Sequence, residues 1–274
     1  MKLHRTTAGV FAERDGRFVQ LRETWDELLA RAELRAHLAA QLDRSDVVAA
    51  LPGRPLAPIG RQEVWAAGVT YERSRDARVE ESRDAGGDSF YDRVYDAPRP
   101  ELFFKAAPWR VRGPGDAVRL RRDARWTVPE PEIALVVDAR GAIVGCTIGN
   151  DMSARDIEGE NPLYLSQAKI YDGACALGPA LLLVDRLPAE TTIALRVVRD
   201  GRTALDACTT WGRMRREPSA LVEHLYRETS FPDGCVLLTG TGIVPPSDFT
   251  LAPGDEITID VEHVGTLSNV VDTR

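Results

Sequence analysis

Trp126-Thr-Val-Pro-Glu130-Pro-Glu132-Ile-Ala-Leu-Val-Val-Asp138, followed after Ala139-Arg140-Gly141-Ala142 by Ile143-Val-Gly-Cys-Thr-Ile-Gly149-Asn150-Asp151, reads as strand, tight turn, strand. In an extended chain side-chain direction repeats every second residue, so Glu130 and Glu132 project from the same face. A turn centred on Arg140-Gly141 sets Asp151 opposite Glu130. Facing residues in a ladder lie roughly 4.5–5.5 Å apart at Cβ. The hairpin therefore gathers three carboxylates on one face at one end of a sheet.

Like charges at that separation repel and raise one another's pKa unless a positive charge lies among them. A divalent cation answers this. With oxygen donors alone, and no His or Cys close by in sequence, the expected metal is hard: Mg²⁺ first, then Mn²⁺ or Ca²⁺. The alternative is a solvated acidic strand end. Pro131 cannot donate to a ladder, so the strand is expected to be an edge or bulged there, leaving the site open. Farther on, Asn161-Pro-Leu-Tyr-Leu-Ser-Gln167-Ala-Lys169 carries a lysine into an apolar segment. Beside a metal-bound oxo-acid, Lys169 would hold a carboxylate, stabilise an enolate or act as a base; otherwise it is an ordinary surface lysine.

The rest of the 274-residue chain sets the frame. Forty-two acidic against thirty-five basic side chains give a net charge of −7, which disfavours a nucleic-acid groove. The longest apolar run, Ala174 to Val184, is interrupted by Gly178 and Pro179 and too short to span a bilayer. The N-terminal residues lack the apolar stretch of a signal peptide. Cys146, Cys175, Cys208 and Cys235 form no C-x-x-C pair and read as reduced thiols packed as small hydrophobes, so a cytoplasmic protein is expected. Prolines and glycines crowd 52–61 and mark a boundary. It separates a small N-terminal α/β domain, residues 1–60, from a larger domain, 61–274. In the first, the Thr24/Glu27 capping box followed by Leu34, Leu38 and Leu42 predicts one helix. In the second, alternating Ile193-Leu195-Val197 and Ile257-Ile259-Val261 predict strands, and Pro218 opens a helix carrying Leu221 and Leu225. Residues 72–98, charged and containing Gly86-Gly87, suit a partly helical mobile lid. Many strands with few helices predict an α+β class rather than a Rossmann alternation. Gly240-Thr241-Gly242 runs into Pro245-Pro246, which disfavours a dinucleotide site.

Taken together, Glu130-Pro-Glu132, Gly149-Asn150-Asp151-Met-Ser-Ala-Arg155-Asp156, Ala168-Lys169 and Leu238-Thr-Gly240-Thr241-Gly242 resemble the signature of the fumarylacetoacetate hydrolase superfamily, in the same order, from about Glu63 to near the C-terminus. The resemblance implies a catalytic domain with a mixed β-roll, often in a homodimer or homotetramer. It implies Mg²⁺ or Mn²⁺ on Glu130, Glu132 and Asp151, an active-site lysine at Lys169 and a substrate-binding threonine at Thr241. Tyr91-Asp-Arg-Val-Tyr-Asp-Ala-Pro-Arg-Pro-Glu101-Leu-Phe-Phe-Lys105-Ala is similar to the family's sugar-acid dehydratase branch, as are Glu160 to Gln167 and Met214-Arg-Arg. That likeness implies Mg²⁺-dependent dehydration of a small 2-oxo acid, 2-keto-3-deoxy-D-arabinonate to 2,5-dioxopentanoate, through a metal-bound enolate. Glu101 and Lys105 are then further acid–base candidates, although Glu101 reads equally as a salt-bridged strand residue. Tyr71 is a substrate contact, and Gln167 either a substrate contact or structural. Arg155 and Asp156 are expected to pair and brace the Asp151 loop. The family's hydrolases and decarboxylases activate water with a lid motif N-Y-x-x-H-x-x-E. Here Ser74 and Ala77 stand at the histidine and glutamate positions, which argues against that chemistry. The alternatives are such a hydrolase or decarboxylase with another acid–base pair, or an inactive small-molecule-binding relative.

Overall fold

The computed structural model describes residues 1–43, 47–75 and 93–272. Most of the stretch read as a lid, 76–92, lies outside these residues.

The hairpin forms as its residues dictate. The Asp138 carboxylate accepts from the N–H groups of Arg140 and Ala142, each at 2.9 Å, and Gly141 turns the chain at φ 82°, a region open to a residue without Cβ. Pro131–Val137 pairs with Ile143–Asp151, Pro131 facing Asn150 and Glu132 facing Gly149. A bulge between Val136 and Val137 is confined to the turn end. The Asp151 N–H therefore donates to the Glu130 carbonyl at 2.9 Å, the juxtaposition that the turn position predicts. The expectation of an edge or bulge at Pro131 is corrected. The strand is interior, between Ile143–Asp151 and Cys235–Leu238, but the second pairing begins only at Ala134. Proline is tolerated because it is the first residue of the strand, before that ladder starts.

The architecture is α+β. In the eleven-stranded sheet, Val47–Val48, Arg17–Leu21, Gly9–Arg14 and Lys2–Thr6 lead to Cys175–Leu182 and the hairpin, and then to Cys235–Leu238, Glu63–Gly68 and Glu101–Ala106. Val111–Arg112 pairs alongside Cys175–Leu182. The parallel pairing of Cys235–Leu238 with Glu63–Gly68 makes the sheet mixed. One face of the hairpin, with Ile133, Leu135 and Ile148, packs on a five-stranded sheet through Ile193, Leu195, Ile257 and Ile259, with Leu221 and Leu225 of the Pro218–Tyr226 helix in the same cluster. On the opposite face, Ala134 and Val136 share an apolar cluster with Leu177 and Leu238 of the neighbouring strands and with Trp25, Leu28, Leu34 and Leu38. Glu130 and Glu132 lie on this second face, past the end of the Cys235–Leu238 ladder.

The single N-terminal helix is corrected to two, Trp25–Leu29 and Leu34–Leu42. The capping box forms, but Trp25 and Leu34 are nine residues apart, about two and a half helical turns. One continuous helix would point its two apolar sets in opposite directions, so the chain breaks and buries both. Of the cysteines, Cys146, Cys175 and Cys235 are buried free thiols, whereas Cys208 is exposed, on the edge strand Arg202–Thr210. No helix among the described residues is long and apolar enough to cross a membrane.

Candidate metal and active site

Oxygen atoms of Glu130, Glu132 and Asp151 converge within 4.8 Å of one another, and all three residues are buried. Short pieces of structure hold this end of the hairpin. Thr127–Val128, just before Glu130, pairs with Ser153–Ala154, just after Asp151. Its outer side is tied to the loop before Asp255: Trp126 donates from Nε1 to Phe249 O at 2.9 Å, and Leu251 N–H donates to Thr127 O at 2.9 Å. The Arg155–Glu160 helix follows. Asn161 accepts from Leu163 N–H at 2.9 Å and Pro162 opens a turn, so the Leu165–Lys169 helix ends with Lys169 at the carboxylates.

Three cations meet the cluster. Lys169 Nζ donates to Glu130 Oε2 at 2.6 Å, Asp151 Oδ2 at 3.1 Å and Ser153 Oγ at 2.6 Å. The ring of Phe103 lies 5.8 Å from the same ammonium, centroid to nitrogen. Lys105 forms an ion pair with Asp151, and Arg155 Nη2 bonds Glu130 Oε1 at 2.6 Å. Glu132 instead accepts from a main-chain N–H, that of Gly240, at 2.6 Å. Burial, then the charges of Asp151 and Glu130, push the Glu132 pKa well above the carboxylate range, against the smaller opposing effects of Lys169 and that N–H. Three buried carboxylates with one driven toward protonation form a donor set that a hard divalent cation would neutralise, so the residues fit such an ion.

The other expected residues fall around this centre. Tyr71 is 2% exposed, its hydroxyl buried without a hydrogen-bond partner. Burial and the charge of Glu132 raise its pKa, so it is a neutral donor beside the cluster. Met214 bridges to Tyr71, and Arg215 N–H donates to Thr70 O at 2.9 Å, which assigns the Met214-Arg-Arg run to holding this segment. Glu101 begins its strand opposite Gly68, half-buried, its carboxylate against that glycine. Thr241 is buried, but its hydroxyl is engaged in its own loop, accepting from Ile243 N–H and donating to Ile243 O, each at 3.1 Å. Gln167 is exposed on the Leu165–Lys169 helix. Ser74, at the family's histidine position, donates from Oγ to Tyr71 O at 2.7 Å and serves the turn.

The expected Arg155–Asp156 pair is corrected. Arg155 reaches Glu130 and Glu158, while Asp156 accepts from Arg125 N–H at 2.6 Å. The first residue of a helix points its side chain according to the helix's placement, which sequence neighbours do not reveal. Sequence reasoning also missed Ser153, the Gly240 N–H and Tyr171, whose buried hydroxyl lies within the field of Asp151. Only Gly240 carried a signal. It adopts φ 91°, and a Cβ there would collide with Thr70 Oγ1, the donor to Thr239 O at 2.6 Å. Gly240→Ala is expected to cost about 1–3 kcal/mol, seen as a melting temperature lower by several degrees. An unchanged melting curve would remove the strain argument.

A mixed sheet of this topology with a buried all-carboxylate cluster and a lysine across it defines a class of divalent-metal site. Residues 64–272 match the family model described as fumarylacetoacetate (FAA) hydrolase C-terminal, and the chain belongs to that family. It is 46% identical over 241 residues to a probable 2-keto-3-deoxyxylonate dehydratase of Haloferax volcanii, covering 86% of this chain and 82% of the relative. It is 44% identical over 220 residues to the 2-dehydro-3-deoxy-D-arabinonate dehydratase of Saccharolobus solfataricus, covering 79% and 74%. Among solved structures, a 2-keto-3-deoxy-D-arabinonate dehydratase complexed with magnesium and 2,5-dioxopentanoate matches with a TM-score of 0.82 at 36% identity, covering 100% of this chain and 99% of the other.

Proposed function

We propose that the protein is a Mg²⁺-dependent hydro-lyase that dehydrates a 2-keto-3-deoxy sugar acid, 2-keto-3-deoxy-D-arabinonate, to 2,5-dioxopentanoate. The observation that carries this reading is the buried Lys169 ammonium set against two carboxylates of the converging triad. The relatives named above, dehydratases of such acids, support the substrate class. Glu130, Glu132 and Asp151 would hold the cation, which supplies Lewis-acid polarisation of a 2-oxo acid when bound.

In the reaction a C3 proton is removed, the C4 hydroxyl leaves as water after protonation, and tautomerisation yields the C5 aldehyde. Lys169 is assigned to stabilising the enolate or exchanging its proton, since its ammonium bonds two of the three carboxylates and lies beside the Phe103 ring. Glu101 is the proposed acid or base for the leaving hydroxyl. Tyr71, Thr241 and Gln167 are proposed substrate contacts, Tyr71 as a hydrogen-bond donor. This chemistry belongs to residues 61–274, with residues 1–60 as the small companion unit. The proposal includes a cytoplasmic homodimer or homotetramer; the free cysteines support a reducing compartment, and exposed Trp109 and Leu163 are apolar surface that an oligomer would cover.

The test is turnover of 2-keto-3-deoxy-D-arabinonate, followed through an aldehyde dehydrogenase acting on the product, with Mg²⁺ and with EDTA. Aldehyde formation that EDTA abolishes and Mg²⁺ restores is expected. No aldehyde at any Mg²⁺ concentration sinks the substrate assignment.

A further inference from the structure

Lys105 is 1% exposed and lies at a break in the strand ladder: Ala106 faces Val64 and Phe104 faces Trp65, leaving Lys105 as the extra residue. A bulge of this kind re-aims a side chain. Here it delivers the ammonium among three acceptors, the Asp151 carboxylate, Met152 O at 2.9 Å and Lys169 O at 2.6 Å. An ammonium has three hydrogens and no acceptor, so each hydrogen has a fixed partner. Met152 follows the ligand Asp151 directly, and Lys169 O closes the helix that carries the lysine across the cluster. One buried charge thus ties the Glu101–Ala106 strand to the metal-ligand segment and to the end of the Leu165–Lys169 helix.

We propose that Lys105 is a positioning residue: it sets Asp151 for the cation and Lys169 for the substrate. This replaces its place among the acid–base candidates and rests on the metal site proposed above. The test uses the full chain as wild type, Lys105→Met and Lys105→Arg, with Mn²⁺ as probe and binding read by the electron paramagnetic resonance of free Mn²⁺, without substrate. Lys105→Met is expected to weaken Mn²⁺ binding by about 10–100-fold, the usual effect of losing a partner of a metal ligand. Lys105→Arg keeps the charge and the donors and is expected to recover most of that affinity. A purely structural role would lower the melting temperature and leave the Mn²⁺ affinity of the folded protein alone. Wild-type Mn²⁺ affinity in Lys105→Met therefore overturns the inference. If Lys105→Met does not fold, Lys105→Arg decides, because a guanidinium does not give up its proton near neutral pH. Turnover by metal-loaded Lys105→Arg supports positioning, and its absence with Mn²⁺ bound normally overturns it. A wild type that binds no Mn²⁺ fails the metal site itself, a different result from an unaffected Lys105→Met.

Discussion

Glu132→Gln is expected to lower metal-dependent turnover on the order of a thousandfold, about 4 kcal/mol of transition-state stabilisation. Glutamine keeps the size of the side chain, and its carbonyl still accepts from Gly240 N–H, so the loop after Leu238 keeps its anchor. What disappears is one of the three charges that would hold the cation. The same substitution has an opposite consequence for the metal-free protein. Burial and the neighbouring carboxylates raise the Glu132 pKa in the folded state. From the ordinary glutamate value near ~4.3 up to that raised value, the folded protein keeps a proton that the unfolded chain has released. The folded state binds more protons there, so stability falls as pH rises through the window. In EDTA, the melting temperature of wild type relative to Glu132→Gln is expected to decline with rising pH, and the glutamine protein carries no such contribution. Melting curves of both proteins over a pH series check this. Parallel pH dependences would refute the electrostatic account, and undiminished Mg²⁺-dependent turnover in the variant would refute the ligand assignment.

Lys169→Met separates catalysis from metal retention. Methionine preserves the stem but leaves Glu130 Oε2, Asp151 Oδ2 and Ser153 Oγ without the ammonium between them. Removing one partner of a buried ion pair costs about 3–5 kcal/mol, so the EDTA-treated variant is expected to melt well below wild type. The three carboxylates remain, so the variant is expected still to bind Mn²⁺. Turnover with metal bound is expected to fall about 10²–10⁴-fold, the range for losing a positioned proton-transfer group. A variant that binds Mn²⁺ and retains turnover within a fewfold would place the chemistry on another residue.

Local order carried much of this in the chain itself. Glu130 and Glu132 share a face because side chains alternate, and Asp151 joins them because Gly141 turns the hairpin where it does. Both are short-range consequences of covalent geometry, and both hold in the folded protein. Lys169 was legible as an oddity, a lysine entering an apolar segment, and the family motifs supplied its place. The N-terminal helix was misread because spacing within each half was correct, while the phase between Trp25 and Leu34 matters only once both must be buried.

The strand pattern, the carboxylate triad and the α+β class are legible in the chain alone, since these follow from periodicities of a few residues. Packing at long range settles which donor meets which carboxylate: Arg155 on Glu130 and not Asp156, Lys105 on Asp151, and the Gly240 N–H on Glu132. These partners come from segments 25, 46 and 108 residues away. Their meeting depends on how the sheet, the Leu165–Lys169 helix and the loop after Leu238 pack together, and no local rule of chain geometry encodes contacts at that range.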